Sequence, residues 1–160
     1  MSVIDVTATV NGRTHVRTIA PRTTLAEFLR DDLGLTGTKL SCEMQVCGVC
    51  TVLIDGLPVS ACTYLAADVD GREVSTIEGL ATGDRLHPIQ QAFIDHFALQ
   101  CGFCTPGFVM MAKALLDEVP QPSEEQVIDH LEGSICRCTG YKPILDAVLD
   151  AAGRMRKAPS

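Results

Sequence analysis

The chain has 160 residues, and 13 Lys or Arg stand against 20 Asp or Glu, so its formal net charge at pH 7 is −7. This acidic balance argues against nucleic acid or an anionic membrane as the main partner, because basic side chains bind their phosphates. No apolar run approaches the roughly 18 residues of a membrane-spanning helix, and the first residues lack the pattern of a secretory signal. We therefore expect a soluble, globular, cytoplasmic protein.

The first half of the sequence has the pattern of a small β-sheet. It contains five short runs that we interpret as strands: residues 3–10, 13–19, 51–54, 57–61 and 73–77. Asn11-Gly12 and Asp55-Gly56 stand between the first two pairs of runs, and both dipeptides favour tight hairpin turns. Between the hairpins, Thr24 and Glu27 form a capping box, which predicts a short helix that Gly34 ends.

The second half of the sequence predicts four helices. Their first turns are marked by Pro88, Pro106, Ser123 and Pro143. In the first of them, the residues spaced as one apolar face are Ile89, Phe93, Ile94 and Phe97. The fourth is expected to end near Ala152, which leaves residues 154–160 as a loose basic tail. The boundary between the two halves is predicted within residues 78–85.

Clustered cysteines are the main chemical signal in this sequence. The eight are Cys42, Cys47, Cys50, Cys62, Cys101, Cys104, Cys136 and Cys138. Their density is below the roughly 8–10% that is typical of a disulfide scaffold. In the reducing compartment expected here, disulfides are rare and clustered thiols usually bind metal.

The first four cysteines have the spacing of an iron–sulfur site. Four residues separate Cys42 from Cys47, two separate Cys47 from Cys50, and Cys62 follows at a distance. This is the ligand pattern of a plant-type 2Fe–2S cluster, whose two irons need four thiolates. A tight loop around such a cluster also directs backbone N–H groups at the sulfurs, and Gly48 lies between two of the ligands.

The last four cysteines form two close pairs at predicted helix junctions. Cys101 and Cys104 are separated by two residues, and Cys136 and Cys138 by one. Helix N-termini that follow each pair would favour thiolates and an anionic cluster. Zinc fits the one-residue gap poorly, because its ligand pairs are usually spaced by two to four residues. Structural thiols, disulfides and zinc remain the alternatives to iron at both sets.

Four motifs, in order, resemble those of one enzyme family. They are Gly37-Thr-Lys-Leu-Ser-Cys42, Cys47-Gly-Val-Cys-Thr-Val52, Gln100-Cys-Gly-Phe-Cys-Thr-Pro-Gly107 and Ile135-Cys-Arg-Cys-Thr-Gly-Tyr141. The chain is similar, over nearly all of residues 3–152, to the small iron–sulfur subunit of the molybdenum hydroxylases. That family includes xanthine oxidase, aldehyde oxidoreductase and carbon monoxide dehydrogenase.

The resemblance implies an α+β fold with two domains. Residues 1–79 would form a β-grasp, plant-type ferredoxin-like domain, and residues 80–160 an all-α four-helix domain. Each domain would bind one 2Fe–2S cluster, with Cys42, Cys47, Cys50 and Cys62 as ligands of the first. The ligands of the second would be Cys101, Cys104, Cys136 and Cys138.

The resemblance also implies partners for this chain. The C-terminal cluster would lie next to molybdopterin on a large catalytic subunit, which Gln100 and Cys138 would contact. The N-terminal cluster would lie nearer to FAD on a medium subunit. Substrate would be hydroxylated on the large subunit, and electrons would pass through this chain to FAD or an external acceptor. We assign no catalytic residue, because no paired carboxylates accompany a nucleophile in this sequence.

Three residues depart from the family's pattern. Ser41 and Gln45 stand where glycine is usual, and Ser134 stands where asparagine is usual. If the glycines serve a positive φ, Gln45 would be strained by about 1–2 kcal/mol. These departures bear on loop conformation and cluster potential rather than on ligation.

Two other functions are compatible with the cysteines alone. One is a free-standing ferredoxin-like carrier or redox sensor, and the other is a zinc-stabilised interaction domain. The second set of cysteines favours the subunit, because a lone carrier needs only one ferredoxin module. A complex that co-purifies with large and medium chains would distinguish the subunit from a lone monomer.

Overall fold

A five-stranded mixed sheet forms the first half of the chain. The computed structural model describes residues 2–157. Its strands are β1 (Ile4–Val10), β2 (Arg13–Ile19), β3 (Thr51–Ile54), β4 (Leu57–Ser60) and β5 (Glu73–Ser75). They lie in the order β2-β1-β5-β3-β4, with β1 and β5 parallel and the other pairs antiparallel.

Both predicted hairpin turns are present, for the expected reason. Asn11 and Gly12 have φ of 51° and 76°, and Asp55 and Gly56 have φ of 49° and 83°. Two successive positive φ values match the right-handed twist of the flanking strands, which is why these dipeptides favour hairpins.

The predicted short helix packs under the sheet. It comprises α1 (Leu25–Glu27) and a π-helical turn over Phe28–Asp32, and Thr24 and Glu27 form the expected capping box. Phe28 and Leu29 are fully buried. Three strands are shorter than predicted: β1 begins at Ile4, β4 ends at Ser60, and β5 ends at Ser75, before a 3₁₀ turn over Ile77–Gly79.

Four helices form the second half of the chain. They are α2 (Pro88–Asp95), α3 (Thr105–Glu118), α4 (Glu124–Leu131) and α5 (Lys142–Lys157). Ser123 and Gln126 form the predicted capping box, and proline occupies the first turn of α2 and of α3. The α+β fold with a β-grasp sheet followed by four helices is confirmed. In the described part of the chain, no helix is long and apolar enough to cross a membrane.

Two details of the helical prediction are wrong. Helix α5 continues past Ala152 to Lys157, because Arg154 forms ion pairs with Asp95 of α2 at 2.6 Å and with Asp150 at 2.5 Å. Residues 154–157 are therefore not a loose tail, and residues 158–160 lie outside the described residues. Phe97 follows the end of α2 with a φ of 52° and is 81% exposed, so it is not part of a buried face.

The two halves have separate cores that meet along β3 and α3. One core lies between the sheet and α1, and the other lies among the four helices. Val49, from the first half, is buried in the helical core. Leu53 of β3 packs with Met110 and Ala114 of α3. This contact brings the loop that contains Cys47 and the N-terminus of α3 together.

Candidate metal centres

A loop ahead of β3 carries the first three cysteines. Glu43 and Gln45 adopt φ of 54° and 60°, which turns the loop tightly around Cys42. The Val46 N–H donates to the Cys42 Sγ at 3.4 Å. Bonds from the backbone N–H groups of Met44, Val46 and Cys47 lower the pKa of the Cys42 thiol to about 6. The hydrogen bonds of the loop therefore favour the thiolate form of Cys42.

The β3–β4 hairpin brings Cys62 beside Cys50. Cys50 precedes β3 and Cys62 follows β4, and the Ala61 N–H donates to the Cys50 carbonyl at 3.3 Å. Both thiols are buried. Burial raises the pKa of Cys50 to about 11, and the nearby Cys62 and Cys47 thiols oppose its ionisation further. The structure thus brings together all four cysteines of the first predicted set.

The second set assembles from two helix junctions. Cys101 and Cys104 precede α3, and Cys136 and Cys138 lie between α4 and α5. The Sγ atoms of Cys138 and Cys101 are 3.7 Å apart. Cys104 is buried, so its pKa rises to about 12, and the neighbouring Cys136 and Cys101 thiols contribute to that shift. These four cysteines are also brought together.

Thr139 supports the Cys136 sulfur with two hydrogen bonds. Its backbone N–H donates at 3.4 Å and its hydroxyl donates at 3.1 Å. Burial alone would raise the pKa of Cys136, but the bonds from Thr139, the Cys138 backbone and the Cys104 thiol together outweigh it and lower the pKa. Cys136 therefore tends toward the thiolate that an iron ligand requires.

Thiols in pairs suit a two-iron cluster. The close contacts are Cys42 with Cys47, Cys50 with Cys62, Cys101 with Cys138, and Cys104 with Cys136. Each iron of a 2Fe–2S cluster takes two protein thiolates, so four thiols in two pairs fit one cluster at each site. Among residues 2–157, no three His, Cys, Asp or Glu side chains are grouped to hold a single metal ion.

The remaining predicted residues lie at contrasting depths. Gln100 and Cys138 are exposed beside the second set. Gln45 has the positive φ that its position in the loop suggested, and its Oε1 accepts from the Thr63 hydroxyl at 3.1 Å. Ser41 is exposed and has no positive φ. Ser134 is buried, and its hydroxyl has no hydrogen-bond partner among the described residues.

Tyr141 is a supporting residue whose role sequence reasoning missed. Its hydroxyl accepts a hydrogen bond from the Cys136 N–H at 3.1 Å, and its ring packs edge-to-face on Phe108 at 6.3 Å. Its backbone has a φ of 69°, which is unusual for an aromatic residue. The only sequence signal was its place at the end of the fourth motif.

Family profiles match both halves of the chain. A profile described as "2Fe-2S iron-sulfur cluster binding domain" matches residues 8–77. A second, described as "[2Fe-2S] binding domain", matches residues 76–149. The chain therefore contains two 2Fe–2S-binding domains.

Named relatives extend over the same length. The chain is 51% identical over 152 residues to the nicotine 6-hydroxylase small subunit of Paenarthrobacter nicotinovorans. That match covers 95% of this chain and 92% of the relative. It is 46% identical over 153 residues to the aldehyde oxidoreductase of Megalodesulfovibrio gigas. That match covers 94% of this chain but 17% of the longer relative.

Solved structures share the whole fold. The structure of quinoline 2-oxidoreductase from Pseudomonas putida 86 contains a chain with a TM-score of 0.94 and 43% identity, and the match covers 100% of both chains. The aldehyde oxidoreductase of Desulfovibrio desulfuricans matches 95% of this chain with a TM-score of 0.92 and 48% identity, although this is 17% of its own length. The chain belongs to the small iron–sulfur subunits of the molybdenum hydroxylase family of oxidoreductases.

Proposed function

We propose that this chain carries electrons from a molybdenum cofactor on a large subunit to FAD on a medium subunit, or to an external acceptor. The observation that carries the proposal is the presence, in one chain, of two separate sets of four paired thiols. A 2Fe–2S cluster, when bound, accepts and releases a single electron. No residue of this chain is proposed to act on the substrate, which would be hydroxylated on the large subunit.

Each set of cysteines is proposed to hold one cluster. The ligands of the first would be Cys42, Cys47, Cys50 and Cys62, and those of the second Cys101, Cys104, Cys136 and Cys138. Bonds from the Val46 N–H and from Thr139 to thiol sulfurs support this assignment, because such donors stabilise the more negative, reduced state. We place the division between the two domains at residues 1–79 and 80–160, which is consistent with two separate cores.

The second set is proposed to face the large subunit. Gln100 and Cys138 are exposed there, so both can reach molybdopterin held by a partner. Phe103, between Cys101 and Cys104, is 45% exposed, which is typical of an aromatic residue that a partner covers. The first set would then lie on the side of the medium subunit.

Assembly and compartment follow from the same chemistry. We propose one large, one medium and one small subunit, in one or two copies of each. The cytoplasm is the proposed compartment, because thiols that receive iron must stay reduced until they do so.

Native mass and metal content test this function together. The chain, expressed with its neighbouring reading frames, should purify as a complex with two larger chains. It should contain four irons and four acid-labile sulfides per copy, because eight thiolates close two 2Fe–2S sites. A lone monomer with four irons would favour a free-standing carrier. Two irons, or stoichiometric zinc, would contradict the assignment of two clusters.

A further inference from the structure

Between the two cysteine sets, the backbones of the two halves meet directly. The Ile135 N–H donates to the Cys47 carbonyl at 2.9 Å. Cys47 belongs to the first set, and Ile135 immediately precedes Cys136 of the second. A ligand segment of each site is therefore hydrogen-bonded to the other without an intervening side chain.

Gly107 in α3 lies against the loop of the first set. A Cβ on Gly107 would be 2.4 Å from the Gly48 carbonyl oxygen and 2.9 Å from the Cα of Val49. Gly107 does not have a positive φ, and glycine weakens a helix relative to alanine. The close approach of backbone to backbone is thus the physical reason for glycine at this position.

Gly48 also lies against the segment that leads to Cys136. A Cβ on Gly48 would lie 2.8 Å from the Gly133 carbonyl oxygen and 2.8 Å from the Ser134 Oγ. Its own carbonyl oxygen accepts from the Thr51 hydroxyl at 2.7 Å. The loop of the first set is therefore held between α3 and the segment that leads to Cys136, with no room for one additional carbon on either side.

We propose that Gly48 and Gly107 are positioning residues that set the separation between the two sets of cysteines, and thereby the coupling between the clusters that they would hold. This inference rests on the proposed function. Electron exchange and magnetic interaction both weaken as two centres move apart. Because protein interiors are close-packed and transmit strain, an added methyl group at this contact must displace one ligand segment relative to the other.

The first test compares two helical glycines in the full-length, cluster-loaded chain. Gly107→Ala should keep four irons, lower Tm by roughly 2–12 °C, and narrow the magnetic splitting between the two reduced clusters in the EPR spectrum. Gly153→Ala is the matched control. Gly153 lies in α5, and apart from its chain neighbours and the adjacent backbone of α5, no described atom lies within 4 Å of the Cβ that alanine would add there. The control should leave the splitting unchanged.

A second pair of glycine variants distinguishes the effect of the spacing between the cysteine segments from the effect of backbone strain. Gly48 has a φ of 69° and Gly34 a φ of 72°, so alanine is strained at both positions. Apart from its two chain neighbours, the Cβ of an alanine at position 34 would meet no described atom within 4 Å, unlike that of an alanine at position 48. Gly34→Ala should therefore lower Tm without altering the splitting, whereas Gly48→Ala should alter both.

Several results would overturn this proposal. The first is an unchanged magnetic splitting in a Gly107→Ala variant that has kept all four irons. The second is a wild-type protein that holds both clusters but shows no magnetic interaction between them. If neither glycine variant retains iron, the test uses Thr51→Val, which removes one of the two hydrogen bonds to the Gly48 carbonyl without adding bulk. Thr51→Val should alter the magnetic splitting with four irons present, and an unchanged spectrum would again contradict the proposal. Failure of the proposed function gives a different result, because the wild-type chain would then either lack two clusters or purify with four irons as a lone monomer.

Discussion

At the scale of single residues, the two tyrosines form hydrogen bonds in different halves of the molecule. In the second site the Tyr141 hydroxyl accepts from the Cys136 N–H. In the first half, the Tyr64 hydroxyl accepts instead from the Arg72 guanidinium, at 2.9 Å. The two tyrosines therefore support different halves of the molecule, and each can serve as the control for the other.

Removing the Tyr141 hydroxyl should affect the second site alone. Tyr141→Phe keeps the ring on Phe108 but leaves the Cys136 N–H without its acceptor, which should lower the free energy of unfolding by about 1 kcal/mol. The EPR signal of the second cluster should shift while the first signal is unchanged. Tyr64→Phe should leave the second signal unaltered. A shift of the first signal in Tyr141→Phe would contradict this assignment.

At the scale of elements, a charged cluster joins α2 to α5. Arg154 contacts Asp95 and Asp150, and the His96 Nε2 lies 2.9 Å from the same Asp150 carboxylate. The Arg154 guanidinium is the main cause that lowers the pKa of both carboxyl groups. These contacts explain why α5 continues beyond the position that the sequence predicted.

The ion pairs of Arg154 should make the stability of the helical half depend on pH in the acidic range. Both Asp pKa values are lowered by folding, so the stabilisation is complete above the unfolded pKa of about 3.9 and is lost as pH falls through the folded values. Arg154→Met should therefore lower Tm at pH 7, and the difference from wild type should shrink toward pH 3. Thermal unfolding of both proteins at each pH measures this difference. An equal difference at every pH would show that Arg154 acts through packing alone.

At the scale of the whole molecule, two separate cores and the contacts between the halves decide how independent the sites are. The sets of cysteines have no member in common, yet the Cys47 loop is bonded to the segment before Cys136. A change at Cys47 that shifts this loop would therefore also reach the segment before Cys136. Cys62 and Cys101 lie outside this contact. They are therefore better suited to test whether each site binds its cluster independently of the other.

Loss of the cluster from one site should leave the cluster of the other site in place. Cys62→Ser should remove the first EPR signal and keep the second, and Cys101→Ser should do the reverse, with two irons left in each variant because each 2Fe–2S site holds two. Separate cores support this independence, since each half buries its own apolar residues. Loss of both signals in either variant would mean that one site cannot fold without the other.

The sequence by itself predicted the strands, the hairpin turns, the four helices and the family, because each depends on local patterns. Asn11-Gly12, the Thr24 capping box and the cysteine spacings act over a few residues and need no knowledge of distant contacts.

Only the tertiary structure decided how far α5 extends, where Phe97 lies and how the two sites meet. Arg154 is held by Asp95, which is distant in sequence, and Gly107 is required by Val49 and Gly48 of the other half. Such contacts join segments that no periodic sequence pattern relates. The end of α5 and the need for glycine at position 107 therefore follow only from the three-dimensional arrangement of the contacting residues.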